Sequence, residues 1–194
     1  MMGMIRAFTL CALIGLPGLA GAAVVQVQGE TELVQKSDAV VMGTVASVTT
    51  RVQRGGGVIT MAELRIFRSL RGVSPGQTIS VVVPGGQLDN GMISYVAGAP
   101  TPKVGDWAVL LLESKGELWT PRGLSLGWIQ LRGSEASGFI AYRELDGLSL
   151  VGDSGVSVAS EPYRIRAMPL DKLWTKLESS MTVLESPAAG EVQP

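Results

Sequence analysis

From residue 39 to residue 48 the chain reads Ala-Val-Val-Met-Gly-Thr-Val-Ala-Ser-Val, apolar at most positions and rich in β-branched side chains. Such a run predicts a strand that is apolar on both faces. Gly43 inside it predicts a bulge or bend, as at a barrel corner. Gly55, Gly56 and Gly57 turn the chain into a second strand over 58–67, giving a hairpin. Leu70-Arg71-Gly72 and Ser74-Pro75-Gly76 end this unit. A third strand over 78–83 stops at Pro84-Gly85-Gly86. Asp89-Asn90-Gly91 supplies residues that tolerate positive φ in a tight turn. Ala99-Pro100-Thr101-Pro102 reads as an extended loop leading to Gly105. Further strands are expected over 106–113, 117–120, 127–132 and 138–143, with a turn over 133–137 between the last two.

The rhythm changes at both ends. Residues 30–37 read as a short helix, with Thr31 as its cap and Leu33, Val34 and Ser37 on one side. After Met168, Pro169 suits a first helical position. Leu170, Leu173, Trp174, Leu177, Met181 and Leu184 then recur at helical spacing, opposite Asp171, Lys172, Lys176 and Glu178. This predicts an amphipathic helix over 169–184, followed by a polar, disordered tail over 185–194. Short strands, many glycine turns and a terminal helix predict a mainly β fold. The expected form is a small antiparallel barrel, whose closure would remove exposed strand edges. A β-sandwich is the alternative. Residues 23–184 read as one domain, without an internal repeat.

The first residues follow neither rhythm. A positive start at Arg6 precedes an apolar run over 7–19, broken by Thr9, Gly15, Pro17 and Gly18, and then Ala20-Gly21-Ala22. This is the layout of a secretory leader, predicting a cleaved signal peptide over 1–22. The run is about 15 residues, short of the roughly 20 that span a bilayer. No later segment reads as membrane-spanning. The leader carries Cys11, the one cysteine of the chain, and the chain has no histidine. Export therefore brings no disulfide framework. A mature chain of 172 of the 194 residues buries roughly 70% of its unfolded surface, enough for a core to hold it.

Without His or Cys, zinc and copper lose their usual ligands, and no cofactor is expected. The formal charge goes from -1 to about -2 when Arg6 leaves, so no global field draws the protein to nucleic acid or to a membrane. The expected location is outside the cytoplasm: periplasm, cell surface or medium.

Several landmarks resemble uncharacterised exported bacterial modules. They are residues 37–45, Ile59-Thr60, Leu70-Arg71-Gly72, Pro84-Gly85-Gly86, Gly98-Ala99-Pro100 and Val104-Gly105-Asp106. The resemblance spans about residues 30–132 and implies a small β-barrel, similar in outline to OB-fold or netrin-like domains. It departs at Pro102, where such modules tend to carry a bulky residue. A netrin-like resemblance also implies metalloprotease inhibition through an N-terminal cysteine. The expected mature N-terminus is Ala23, so that mechanism lacks its chelating residue.

Three arrangements raise catalysis. Gly152-Asp153-Ser154-Gly155 resembles the nucleophile segment of trypsin-like proteases, but the chemistry needs a histidine to take the serine proton. A Ser-Lys dyad with Lys172 or Lys176 is the remaining form, and a plain β-turn is the favoured reading. Glu113 and Glu117 are a candidate carboxylate pair across a hairpin end, with two solvated residues as the simpler account. Asp146 and Asp153 lack the spacing of an EF-hand loop.

Two features mark candidate binding faces. Arg51, Arg54, Arg65, Arg68 and Arg71 lie on one expected hairpin, opposed only by Glu63, and are read as a basic patch. Trp119 and Trp128, each alternating with aliphatic neighbours, are read as an outward pair able to stack on a sugar or anchor a protein. The expected function is a non-enzymatic module binding a protein or polymer partner in the envelope or outside the cell. The alternatives are a protease inhibitor or enzyme regulator acting through loops, and a structural subunit of an envelope assembly.

Overall fold

The doubly apolar stretch after residue 38 forms the central strand of the molecule. A computed structural model describes residues 23–26, 29–152 and 154–182. The expected leader over 1–22 with Cys11, the expected tail over 185–194, Leu184 and Asp153 lie outside the described residues. The strands are β1 (Ala23–Gln26), β2 (Ala39–Val52), β3 (Val58–Arg71), β4 (Thr78–Pro84), β5 (Gly86–Gln87), β6 (Ile93–Ser94), β7 (Trp107–Lys115), β8 (Leu118–Pro121), β9 (Trp128–Ser134), β10 (Gly138–Arg143), β11 (Leu148–Val151) and β12 (Ile165–Pro169). Two helices, α1 (Glu30–Gln35) and α2 (Leu170–Thr182), flank them. The fold is mainly β, as expected.

Eight strands form one mixed sheet in the order β12-β10-β9-β7-β2-β3-β4-β8, and β8 also pairs with β7. The sheet thus curls back on itself through β8. It does not close as a barrel: β4 and β8 share one backbone pair, Val81↔Trp119. Nor is it wholly antiparallel, because β4–β8 and the separate β1–β11 pair are parallel. The strands β9, β10 and β12 extend the sheet beyond β7 instead of joining the curl.

The bend predicted at Gly43 is present. Met42 pairs with Arg68 and Gly43 with Ile66, so Phe67 faces no partner on β2. A Cβ on Gly43 would lie 2.7 Å from the Arg65 carbonyl oxygen, so only glycine admits this close approach. Two further register shifts, at Val40/Val41 and Val45/Ser47, twist the hairpin along its length.

Alternation along β2 and β7 divides the interior in two. One core gathers Ala39, Val41, Leu64, Val81, Leu110 and Trp128 inside the curl. The other gathers Val40, Met42, Val109, Leu111, Ile129 and Leu131 on the opposite face, where α2 seats Leu170, Leu173, Trp174 and Leu177. The amphipathic spacing read from 170 onward therefore places its apolar face as predicted. Pro169 does not open that helix: it ends β12, paired with Ile140. Thr31 does not cap α1, whose N-cap is Gly29 without a side-chain bond.

One charge lies wholly inside. Arg143 on β10 bonds Glu30 at 3.1 Å and the Tyr163 carbonyl at 3.0 Å, while Lys176 of α2 also binds Glu30. Burial pushes the Arg143 guanidinium below its ordinary pKa, and Glu30 opposes that shift. This trio ties α1 and α2 to the sheet.

Candidate binding cleft

The register shift at Phe67 builds an open cleft. Side chains at 64 and 66 enter the core of the curl, so Arg65 projects the other way. The extra residue then turns both Phe67 and Arg68 outward. Trp107, the first residue of β7, stands beside Phe67 with ring centroids 4.6 Å apart and planes tilted by 43°. Phe139 on β10 continues the row at 5.0 Å and 40° from Trp107. Tilted rings at these separations attract beyond simple area burial. The cleft beside this row has a volume of 610 Å³, within the roughly 300–1,000 Å³ typical of ligand sites. Phe67 remains 39% exposed at its edge.

Charges of both signs rim the row. The Arg65 guanidinium lies 5.6 Å from the Phe67 ring centre, and that of Arg68 lies 4.4 Å from the Trp174 ring centre. Arg68 also approaches Asp171 at 3.8 Å. Glu135, from the β9–β10 turn, lines the cleft with Asp171. The arrangement can hold an apolar or aromatic group on the ring row and pair a polar group at either rim. It contains no histidine, cysteine or serine–lysine contact from which a nucleophile would be activated. Among the described residues, no group of three or more acidic or soft side chains could hold a metal.

The five arginines do not form one patch. Arg65 and Arg68 border the cleft. Arg51 pairs across the hairpin with Ile59, nine residues along β3 from Arg68, or about 30 Å. Arg54 sits in the turn beyond it. Arg71 is a structural residue: it donates to the Val34 and Gln35 carbonyls at 2.8 and 2.9 Å and to that of Ser37. These are carbonyls at the C-terminal end of α1, where a cation is stabilising.

The tryptophan pair is also corrected. Trp128 is 7% exposed and belongs to the core within the curl. Trp119 is half-buried, packs against that same core and forms the single β4–β8 pair. Trp128 therefore offers no outward stacking face, and the two do not form an outward pair. Helix α2 and Trp174 cover the opposite side of the sheet, so they do not explain the burial of Trp128.

The candidate catalytic arrangements come apart in a similar way. Glu113 pairs across the hairpin with Thr120, binds Lys115, and lies 3.8 Å from Arg122, while Glu117 sits in the turn. Ser154 is exposed in a turn in which the Gly155 amide donates to the Gly152 carbonyl at 2.9 Å. Lys176 binds Glu30, and Asp146 binds Arg164. Sequence reasoning missed Phe67, Trp107 and Phe139, three aromatics brought together from positions far apart in the chain. No helix among the described residues is long and apolar enough to cross a membrane. No protein-family model matches the chain, and no curated protein matches it.

Proposed function

We propose that the protein is an exported, non-enzymatic binding module whose aromatic cleft captures a segment of a partner in the envelope or outside the cell. The observation that carries this reading is the Phe67–Trp107–Phe139 row beside the cleft, anchored in the core by the buried Phe139 and reaching solvent at Phe67, which is 39% exposed. Aromatic and arginine side chains at the centre of a concave surface are the usual anchors of protein recognition. The mixed rim, with Arg65 and Arg68 beside Glu135 and Asp171, complements a protein segment carrying both signs of charge better than a uniformly anionic polymer. Export rests on the leader-like start, and the absence of His and Cys from the mature chain supports binding over catalysis.

We read the curled strands as a partly open barrel of OB-like outline. Support comes from the ring β7-β2-β3-β4-β8, with its one parallel contact and its seam at Val81↔Trp119.

The test is affinity capture from envelope extract by the chain from residue 23 onward. A partner retained by the native protein, and reduced at least about tenfold by Phe67→Ala with the unfolding midpoint unchanged, is expected. Equal capture by the variant, or a hydrolase activity lost on Ser154→Ala, would overturn the proposal.

A further inference from the structure

A second cavity lies away from the cleft, on the distal half of the β2–β3 hairpin. The segment from Pro84 to Pro102, including the β5–β6 hairpin, folds over the face of β2 that carries Val48 and Thr50. Between them is a pocket of 380 Å³, a size suited to a small ligand. None of its fifteen lining residues is charged. Polar side chains nevertheless surround it: Thr50, Thr60, Gln87, Ser94, Tyr95 and Thr101.

The hydroxyls at its floor have a fixed sense. Buried Thr60 donates to the Gly85 carbonyl at 2.7 Å. Its hydroxyl proton is thereby committed, so in the 3.1 Å contact with Thr50 the donor must be Thr50. Both oxygens then keep lone pairs and no free proton. The floor accepts hydrogen bonds and cannot donate them. Gly86 lets the backbone lie on this pair, since a Cβ there would come within 2.1 Å of the Thr60 hydroxyl. Above the floor, the Tyr95 ring is 80% exposed and flanked by Ile93, itself 68% exposed.

We infer that this pocket binds a neutral sugar ring of an uncharged glycan. A charged ligand would enter without a counter-ion and lose its hydration. A purely apolar ligand would leave the threonine lone pairs unpaired. A peptide carbonyl would find no donor at the floor, and Pro84, Pro100 and Pro102 in the walls carry no amide protons for strand-like pairing. A sugar has hydroxyl protons for the floor and an apolar ring face for Tyr95.

The experiment is a ¹H–¹⁵N NMR titration of the chain from residue 23 onward. The probes are maltotriose, cellotriose and N,N′-diacetylchitobiose, with trigalacturonate as a charged control. At least one neutral probe is expected to shift the amides of Thr50, Gly86, Gln87 and Tyr95 with a Kd of about 0.1–1 mM, while the control does not. Tyr95→Ala, at an exposed position that leaves the fold intact, should weaken binding about tenfold, and Phe67→Ala should leave it unchanged. The inference fails if no neutral probe moves these amides up to about 10 mM, if the charged control moves them as strongly, or if Tyr95→Ala binds as the native protein does.

Discussion

The two faces of the β2–β7 pair are filled in different ways. Inside the curl, the core is sealed by strands: Val41, Leu64, Val81, Leu110 and Leu112 pack around Trp128, nearly all of them inaccessible to solvent. On the other face the core is roofed by a helix. There α2 covers Val109, Leu111, Ile129 and Leu131, and buried Phe139 joins the same core, but cover thins at Trp107, which is partly buried, and at Phe67, which is 39% exposed. A curled sheet surrounds its interior, whereas a single helix, about 10–12 Å across with its side chains, covers only a strip of a sheet face. The uncovered part becomes a cleft. Binding capacity thus arises where the second layer runs out, and stability is concentrated where the sheet wraps on itself.

Substitution inside the curl should give the largest effect. Trp128→Ala removes a large, almost wholly buried side chain from a core packed on several sides by strands. We expect a loss of about 4 kcal/mol, read as a lower urea midpoint with unchanged m. A loss below about 1 kcal/mol would mean that this face is as open as the other, and the contrast would break.

Next in size is a substitution at the junction of α1 and the sheet. Arg71→Ala removes the guanidinium donor from the carbonyls of Val34, Gln35 and Ser37, of which Val34 keeps the Ser37 amide at 3.2 Å. We expect a loss of about 1–2 kcal/mol, with early loss of amide protection in α1 while β2 and β7 stay protected. Uniform loss of protection across both helices and the sheet would instead make α1 part of a single cooperative unit with the curl.

These contrasts also mark what was legible in the sequence. The β-branched runs of β2 to β4 and the apolar run of β7, bounded by turn residues, predict strands because such side chains suit a pleated, packed surface. Gly43 announces its bulge, since a glycine in such a run has few other reasons to be there. The helical spacing after residue 170 likewise names the face that α2 buries. The short strands β1, β11 and β12 escape notice because four or five residues carry too little period, and their pairing depends on distant segments.

Trp128 shows a different limit. Period two in β9 correctly puts it opposite Ile129 and Leu131, but alternation cannot say which side meets water when both sides are covered. Arg68 and Arg71, three residues apart, look equivalent as charges. A helix end lies against one and an indole against the other, and only the folded chain separates those roles. The cleft was illegible for the same reason, because Phe67, Trp107 and Phe139 meet only through the register shift between β2 and β3 and three further strand pairings.

The smallest expected effect sharpens the comparison most. Arg68 rests on Trp174 and approaches Asp171, but its side chain is 44% exposed and that of Asp171 is 96% exposed. An ion pair so open to water contributes little, and the exposed cation–π contact contributes about 0.5–1 kcal/mol. Arg68→Ala should therefore lower stability by no more than about 1 kcal/mol, less than Arg71→Ala on the same strand. If Arg68 serves the cleft, its loss should weaken partner binding several-fold with the fold intact, and the residual binding should depend less on salt. A stability loss as large as that of Arg71→Ala would place Arg68 among the supports of α2. The helix-roofed face would then be held at its rim, and the division between a sealed core and an open cleft would have to be redrawn at Phe67.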